Sequence, residues 1–231
     1  MTPSGPVLLA GATGLVGGRV LARLLAGGDG PLVVAPGRRR PVDTHPRLTT
    51  IETGFEPARD DDLKAMIGAV APAVSAYLCC LGTTLRAAGS REAFVAIDRG
   101  LVLRLAKLAR KLGADHAVLV SSVGASAQSG NFYLRVKGEV ERGIAALGFR
   151  RVDVLRPGLL LGDRTQSRPA ERLARAAAPW LNPLIRGRLA RYRAIDADDV
   201  AAAAVALLAQ ESDGVFVHEH ASLRGLAAIS R

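Results

Sequence analysis

A tyrosine and a lysine are spaced for joint chemistry in the run Tyr133-Leu134-Arg135-Val136-Lys137. On a helix, residues four apart lie on the same face, one turn from each other. A nearby ammonium group favours the phenolate, so the phenol can give up or accept a proton near neutral pH. Tyr133 is therefore a candidate catalytic residue with Lys137 as its partner. The alternative is a tyrosine and a lysine on the exposed face of an amphipathic helix.

Two serines, Ser121 and Ser122, directly follow the apolar run 116–120. A hydroxyl at the end of a strand can donate a hydrogen bond to a substrate carbonyl and polarise it. We predict that Ser122 has this role, with Ser121 as the alternative.

Glycines recur at every third position in Gly11-Ala12-Thr13-Gly14-Leu15-Val16-Gly17, directly after the apolar run 6–10. Glycine permits a tight turn there and lets backbone amides approach a pyrophosphate at the positive end of the following helix. We predict a nucleotide-binding turn that uses Gly11, Gly14 and Gly17. The alternative is a glycine-rich turn without a ligand.

Arg38 and Arg39 follow the second apolar run. In a dinucleotide-binding fold this position faces the adenosine ribose, where an acid would bind the free 2′-hydroxyl. The only acid between the glycine turn and Asp43 is Asp29, on the wrong side of the strand. An arginine fork binds a 2′-phosphate bidentately. We therefore predict NADP(H) rather than NAD(H) as the cofactor, and we interpret Arg40 as a solvated loop residue.

The elements that must position these residues are short apolar runs alternating with helical patterns, which is typical of a parallel sheet with crossover helices. The predicted strands are 6–10, 32–35, 48–52, 73–81, 116–120, 151–155 and 214–218. The first predicted helix follows the glycine turn and has Val16, Val20 and Leu24 on one face. The other predicted helices are 60–67, 91–112, 133–147 and 198–210.

This order predicts an α/β fold, a Rossmann-type doubly wound parallel sheet with ligands at the carboxyl ends of its strands. The alternation stops after residue 158, where an arginine-rich segment is punctuated by Pro169, Pro179 and Pro183. We predict one domain over residues 1–231, with a small C-terminal cap at 159–195 on the substrate side.

Composition excludes several classes of protein. The chain has 231 residues, 49% of them hydrophobic and 23% charged, as expected of a packed globular domain. It shows neither a secretory leader nor an apolar stretch of about 18 residues, so no membrane partner is predicted. Cys79 and Cys80 are adjacent, where a disulfide would be strained, and indicate core thiols in a reducing compartment. The predicted localisation is cytoplasmic.

The chain is basic, with 31 Lys and Arg against 21 Asp and Glu. The arginines are scattered and aromatic residues make up 4% of the chain, so no nucleic-acid partner is predicted. A small-molecule substrate is expected, and a homodimer or a protein partner is left open. His218 and His220 share a strand face without an evident third ligand, so no metal site is predicted.

Three further stretches carry a family resemblance. They are Cys79-Cys80-Leu81-Gly82-Thr83-Thr84, then Tyr133 through Lys137-Gly138-Glu139-Val140-Glu141, and Leu155-Arg156-Pro157-Gly158 with Asp163-Arg164 and Ser167-Arg168-Pro169. The chain resembles the atypical short-chain dehydrogenase/reductase superfamily, and within it the NADPH-binding oxidoreductases related to the human Tat-interacting protein. The resemblance extends from Gly11 to about Pro169.

The resemblance implies a row of cofactor contacts. Those along the pyrophosphate are Thr13, Gly14, Leu15 and Val16. Those on the adenosine side are Leu81 and Gly82, with Arg38 and Arg39 on the 2′-phosphate, and those near the nicotinamide half are Leu160 and Arg168. It also implies that Tyr133 is the proton acceptor and that Lys137 holds the ribose and the tyrosine.

One residue departs from the superfamily pattern. Asp98 falls where many members have an asparagine in a proton relay, which puts a relay of the usual kind in doubt. The first hypothesis is an NADP(H)-dependent oxidoreductase that transfers hydride to or from a small carbonyl or alcohol. The alternatives are an NADPH-sensing regulatory protein without turnover and a nucleotide-sugar epimerase.

Overall fold

The apolar runs form strands in the computed structural model, which describes residues 5–42, 44–56, 59–162 and 187–229. The strands are β1 (Val7–Ala10), β2 (Val33–Gly37), β3 (Leu48–Glu52), β4 (Ala76–Cys79), β5 (His116–Val120), β6 (Arg151–Leu155), β7 (Leu160–Leu161), β8 (Ile195–Asp196) and β9 (Gly214–His218).

The helices lie between these strands, as the sequence pattern predicts. They are α1 (Leu15–Leu25), α2 (Asp60–Val70), α3 (Leu85–Ala88), α4 (Arg91–Val95), α5 (Val102–Lys111), α6 (Phe132–Ala145), α7 (Ala197–Leu207) and α8 (His220–Ile229). A π-helical turn, Ala96–Leu101, connects α4 to α5, and a 3₁₀ helix spans Gly187–Tyr192. Within the described ranges, no helix is long and apolar enough to cross a membrane.

Seven strands form one parallel sheet in the order β3-β2-β1-β4-β5-β6-β9. The direction of the strand order reverses at β1, which pairs with β2 on one side and with β4 on the other. In doubly wound sheets, the crevice at the carboxyl ends beside this switch point is where ligands bind. The predicted fold class is therefore confirmed, and the glycine turn after β1 lies at the switch point.

The two faces of the sheet are covered by different helices. The apolar side chains of α2, α5 and α6 pack on one face, around Tyr77, Leu105 and Ile144. Those of α1, α7 and α8 pack on the other, around Leu9 and Leu24. Because the central strands are buried on both faces, they read as continuous apolar runs rather than as alternating ones.

Several elements differ from the sequence prediction. The helix predicted over 91–112 is interrupted by the π turn at 96–101, where the backbone accommodates the buried Asp98. The strand predicted over 73–81 is shortened to Ala76–Cys79. Helix α8 was not predicted, because Leu223 and Ala227 are its only buried side chains and give too weak a helical pattern.

The predicted cap at 159–195 is described only at its two ends. There β7 and β8 pair in parallel, Leu160 with Ile195, and form a second, two-stranded sheet. The prolines on which the cap prediction rests lie outside the described residues, as do Arg164, Arg168, Arg172 and Arg175. The cap and the single-domain organisation therefore stay predictions.

Candidate active site

The glycine turn after β1 is closed by backbone contacts that exclude larger residues. Gly11 has a φ of +86°, and a Cβ there would lie 2.7 Å from the carbonyl carbon of Cys80. A Cβ at Gly17 would lie 2.0 Å from the carbonyl oxygen of Gly11. Both positions therefore require glycine, for the turn and for close packing against β4.

The turn presents the start of α1 to the crevice. Gly14 caps the helix without a side-chain hydrogen bond, and no acidic residue lies in the first turn. Thr13 and Gly14 are exposed, and Leu15 is half-buried. The first amides of a helix have no intrahelical acceptor and carry its positive dipole end. These exposed amides fit a pyrophosphate, and the side chain of Val16 is buried behind them.

The turn after β4 connects the glycine turn to the Tyr–Lys pair. Cys80 donates its amide to the carbonyl of Ala10 at 2.8 Å, which holds this turn beside β1. Two residues later, the Cβ position of Gly82 lies 3.5 Å from Nζ of Lys137. Leu81 and Gly82 therefore lie between the predicted pyrophosphate site and Lys137.

Helix α6 positions Tyr133 and Lys137 as their spacing predicts. Asn131 caps the helix by accepting a hydrogen bond from the amide of Leu134 at 3.2 Å. The Tyr133 ring packs against Phe94, with 5.7 Å between ring centroids. Nζ of Lys137 lies 5.9 Å from the Tyr133 ring centroid. The cation thus stands beside the aromatic ring of its predicted partner.

Asp98 is an additional member of this cluster. Its Oδ1 lies 2.7 Å from Nζ of Lys137, and its Oδ2 accepts the backbone amide of Thr83 at 2.8 Å. Burial alone lowers the pKa of Lys137, but the charges of Asp98 and Tyr133 outweigh it and raise that pKa above its ordinary value. The aspartate that departs from the superfamily pattern is therefore the direct ionic partner of Lys137.

The two serines after β5 have different surroundings. Ser121 is buried and donates its hydroxyl to Oε1 of Glu141. The other carboxylate oxygen of Glu141, Oε2, pairs with Arg156 at 2.5 Å. Ser122 is half-buried, and among the described residues its hydroxyl has only a 3.4 Å contact with the carbonyl of Val123. Ser121 is committed to this network, so Ser122 has the more available hydroxyl.

Glu141, Arg156 and Gly138 stand in the stretches that carry the family resemblance, but the sequence assigned them no role. Glu141 lies on the same face of α6 as Lys137, one turn further on, and that spacing was the available signal. Gly138 lets α6 approach the preceding loop, because a Cβ there would be 2.2 Å from the carbonyl carbon of Ser126. A glycine inside a helix is unfavourable unless something requires it, and this was its signal.

The arginines after β2 are all exposed. Arg40 lies 3.4 Å from Glu52, in agreement with its interpretation as a loop residue. Arg38 and Arg39 make no ion pair with any residue in the described part of the chain. Both guanidinium groups can thus turn toward a ligand.

The remaining predicted contacts lie at the cap. Leu160 is half-buried in β7, and the Cβ position of Gly162 just beyond it lies 2.9 Å from Cδ1 of Leu15. The end of β7 therefore passes the start of α1. Arg168 lies outside the described residues.

Comparison with known proteins places these features in context. Residues 7–217 match the family described as the NAD dependent epimerase/dehydratase family. The protein fmp52, mitochondrial, of Emericella nidulans is 41% identical over 173 residues, which are 73% of this chain and 72% of that protein. The protein HTATIP2 of Rattus norvegicus is 40% identical over 173 residues, 73% of this chain and 68% of that protein. The resemblance inferred from the sequence is confirmed.

Solved structures share the fold at low sequence identity. The ligand-free aldohexose dehydrogenase of Thermoplasma acidophilum has a TM-score of 0.68 at 18% identity, over 93% of this chain and 92% of that chain. The Bordetella bronchiseptica enzyme WbmH, in complex with NAD+, has a TM-score of 0.68 at 16% identity, over 96% of this chain and 79% of that chain. These likenesses support the Rossmann-like fold.

The relatives contradict the predicted cytoplasmic localisation. Several fungal relatives, from Emericella nidulans, Aspergillus clavatus and Aspergillus fumigatus, carry names that call them mitochondrial. The prediction rested on reduced cysteines and on the lack of a recognisable leader. Reduced thiols indicate only a reducing environment, which more than one compartment provides.

Proposed function

Since the chain belongs to the NAD dependent epimerase/dehydratase family, we propose that it is an NADP(H)-dependent oxidoreductase acting on a small carbonyl or alcohol. The observation that carries this proposal is the turn after β4. It packs against Gly11 on one side and reaches Lys137 through Gly82 on the other. A dinucleotide lying across this turn would extend from the glycine turn to the Tyr133–Lys137 pair.

The residues that would hold the cofactor follow from this path. The amides around Gly14 would bind the pyrophosphate, and Arg38 and Arg39 would bind the 2′-phosphate. Leu81 and Gly82 would cover the adenosine side, and Leu160 and Arg168 the nicotinamide half. When bound, the nicotinamide would supply or accept the hydride.

The protein's own groups would handle the proton and the substrate oxygen. Tyr133 would donate a proton to the developing alkoxide, or accept one from an alcohol. The positive charge of Lys137 would stabilise the phenolate. Ser122, whose hydroxyl is not committed to the Glu141 network, would hydrogen-bond the carbonyl oxygen.

Tyr133→Phe tests this role with the least change in shape. We expect turnover to fall by about 100-fold or more, because proton transfer by a positioned side chain contributes about 10²–10⁴-fold. Cofactor affinity, measured by a thermal shift with NADPH, should stay nearly constant. Turnover would be followed by the absorbance of the reduced nicotinamide in a screen of aldehydes, ketones and alcohols.

Tyr77→Phe is the matched control, since it removes another phenol hydroxyl. Tyr77 is buried and donates to the carbonyl of Val102 at 3.2 Å, away from the crevice surface. We expect it to lower stability slightly and to retain turnover. Full activity of Tyr133→Phe on a substrate turned over by the wild type would eliminate the proposed mechanism.

Nucleotide-sugar epimerisation is the second candidate, because the matched family includes epimerases by its description. An epimerase returns the hydride to its substrate, so no reduced nicotinamide accumulates. Incubation with UDP-sugars, followed by product analysis, separates the two activities. Epimer formation without a change in nicotinamide absorbance would favour this candidate over the oxidoreductase.

A further inference from the structure

We infer that Asp98 is a positioning residue that keeps Lys137 charged and fixed beside Tyr133. The inference deepens the proposed function and rests on it for its catalytic meaning. The contact between Asp98 and Lys137 is present in the protein without any ligand, so it can be tested without turnover.

Both carboxylate oxygens of Asp98 have a partner. Oδ1 of Asp98 lies 2.7 Å from Nζ of Lys137, while Oδ2 is held by the amide of Thr83 at 2.8 Å. The carboxylate is therefore fixed by the backbone after β4 on one side and binds the ammonium with the other oxygen. The π turn that carries Asp98 departs from the regular helix at this residue, and such turns often occur at functional sites.

Water cannot take the place of Asp98 beside Lys137. Asp98 is completely buried, and Lys137 is 6% exposed. A buried ammonium without a counter-charge favours its neutral form. The other three lysines, Lys64, Lys107 and Lys111, are exposed to water. Only Lys137 needs a carboxylate to keep its charge.

Among the described residues, no acid other than Asp98 faces the Lys137 ammonium. The neighbouring groups that influence its charge are Asp98 from the π turn, Tyr133 from its own helix and Cys79 from β4. Burial raises the pKa of the Cys79 thiol, so this group stays neutral near pH 7. The two acids of α6 are engaged elsewhere: Glu139 pairs with Arg99 at 2.5 Å, and Glu141 pairs with Arg156 at 2.5 Å.

The functional consequence concerns the phenol of Tyr133. A protonated Lys137 stabilises the phenolate, and a neutral amine does not. By keeping the lysine protonated, Asp98 preserves this support over the pH range in which Tyr133 must exchange a proton. It also holds Nζ near the turn after β4, where the cofactor would pass.

The experiment measures the ionisation of Lys137 directly. With only four lysines in the chain, ¹³Cε-labelled lysine gives four signals, and Lys137→Met assigns the one of interest. In the wild type, we expect Lys137 to titrate at or above the pH of the three exposed lysines. A wild-type Lys137 that titrates below them would overturn the inference without the need for any variant.

Asp98→Asn removes the charge but keeps an oxygen for the Thr83 amide. We expect the midpoint of Lys137 to fall by about one pH unit or more, because burial then lowers its pKa without the opposing charge of Asp98. If turnover is found, it should be lost at a correspondingly lower pH than in the wild type. An unchanged Lys137 midpoint in this variant would refute the inference, whatever the activity.

Glu139→Gln is the matched control, because Arg99–Glu139 joins the same two elements at the surface. Its Lys137 midpoint should stay at the wild-type value. Should Asp98→Asn fold poorly, the double variant Asp98→Asn/Lys137→Met leaves no unpaired buried charge and should recover thermal stability. A double variant no more stable than Asp98→Asn would count against the pairing. Absent turnover with a shifted midpoint would reject the proposed function alone.

Discussion

At the scale of single residues, the proposed preference for NADP(H) depends on Arg38 and Arg39. Both are exposed at the end of β2 and make no ion pair with the described residues. Replacing both with alanine should weaken NADPH binding by about 10-fold or more, since a hydrogen bond to a charged group is worth about 1.5–3 kcal/mol. NADH affinity should barely change. Isothermal titration with both nucleotides measures the difference.

Arg40→Ala is the control for that pair, because Arg40 is adjacent in sequence but lies beside Glu52. It should leave the NADPH affinity within about twofold of the wild type. If the wild type bound NADPH and NADH equally well, the assignment of Arg38 and Arg39 to a 2′-phosphate would be wrong.

Local spacing predicted some of these residues and could not predict others. Tyr133 and Lys137 are four apart on one helix, so their shared face is readable from the sequence. Asp98 reaches Lys137 only because the sheet brings the π turn against α6, and no local pattern reports that contact. Likewise, the sequence does not distinguish Ser121 from Ser122. Only the fold shows that Ser121 hydrogen-bonds to Glu141.

At the scale of elements, the close approach of α6 to the loop before it fixes the position of Tyr133 and Lys137. Gly138→Ala places a methyl group 2.2 Å from the backbone of Ser126, which cannot move aside as a side chain would. We expect a loss of about 1–3 kcal/mol in the free energy of unfolding, together with reduced turnover. Urea denaturation and the nicotinamide absorbance assay measure the two effects.

Gly143→Ala offers a comparison on the same helix. A Cβ there would meet the end of the Leu103 side chain at 2.8 Å, and a leucine can change its rotamer. The gain in helix propensity should offset much of this crowding, so stability should stay within about 1 kcal/mol of the wild type. Equal stability of the two glycine variants would mean that the approach of α6 is not limited by Gly138.

Periodicity also explains which elements were foreseen. Helix α6 and the strands of the main sheet have strong patterns, and they were predicted to within a few residues. The π turn was predicted as part of a regular helix, because no local pattern in the sequence distinguishes it from one. Helix α8 has too narrow an apolar side to be distinguished from a loop.

At the scale of the whole molecule, a buried cluster around Asp153 ties together the last strands of the sheet. Asp153 on β6 accepts from His116 of β5 at 2.7 Å and from His218 of β9 at 2.7 Å. Arg151 binds both carboxylate oxygens, at 2.6 and 2.8 Å. Although burial opposes its charge, the hydrogen bonds of His116, His218 and Arg151 and the charge of Arg151 hold the pKa of Asp153 well below its usual value of 3.8.

This depressed pKa predicts how stability depends on pH. The unfolded chain takes up the proton first, so the contribution of Asp153 is present above about pH 4 and is lost as the pH falls further. Asp153→Asn should lower the free energy of unfolding at pH 7 by about 3–5 kcal/mol, because it leaves buried donors and Arg151 without their carboxylate. Its stability should then fall less steeply than the wild type's between pH 4 and pH 2.

Asp213→Asn is the control for this measurement. Asp213 pairs with Arg150 at the surface, with 69% of its side chain exposed. Urea denaturation should show a change below about 1 kcal/mol at pH 7. If Asp153→Asn changed the unfolding free energy no more than this surface variant, the cluster would have no part in holding β9 to the sheet.

Different parts of helix α6 present Tyr133 and anchor the helix to the rest of the protein. Its first turn carries the phenol, while its middle is locked to β5 and β6 through Glu141 and to the loop through Gly138. The positions of Tyr133 and Lys137 are thus set by contacts that the middle of the helix makes.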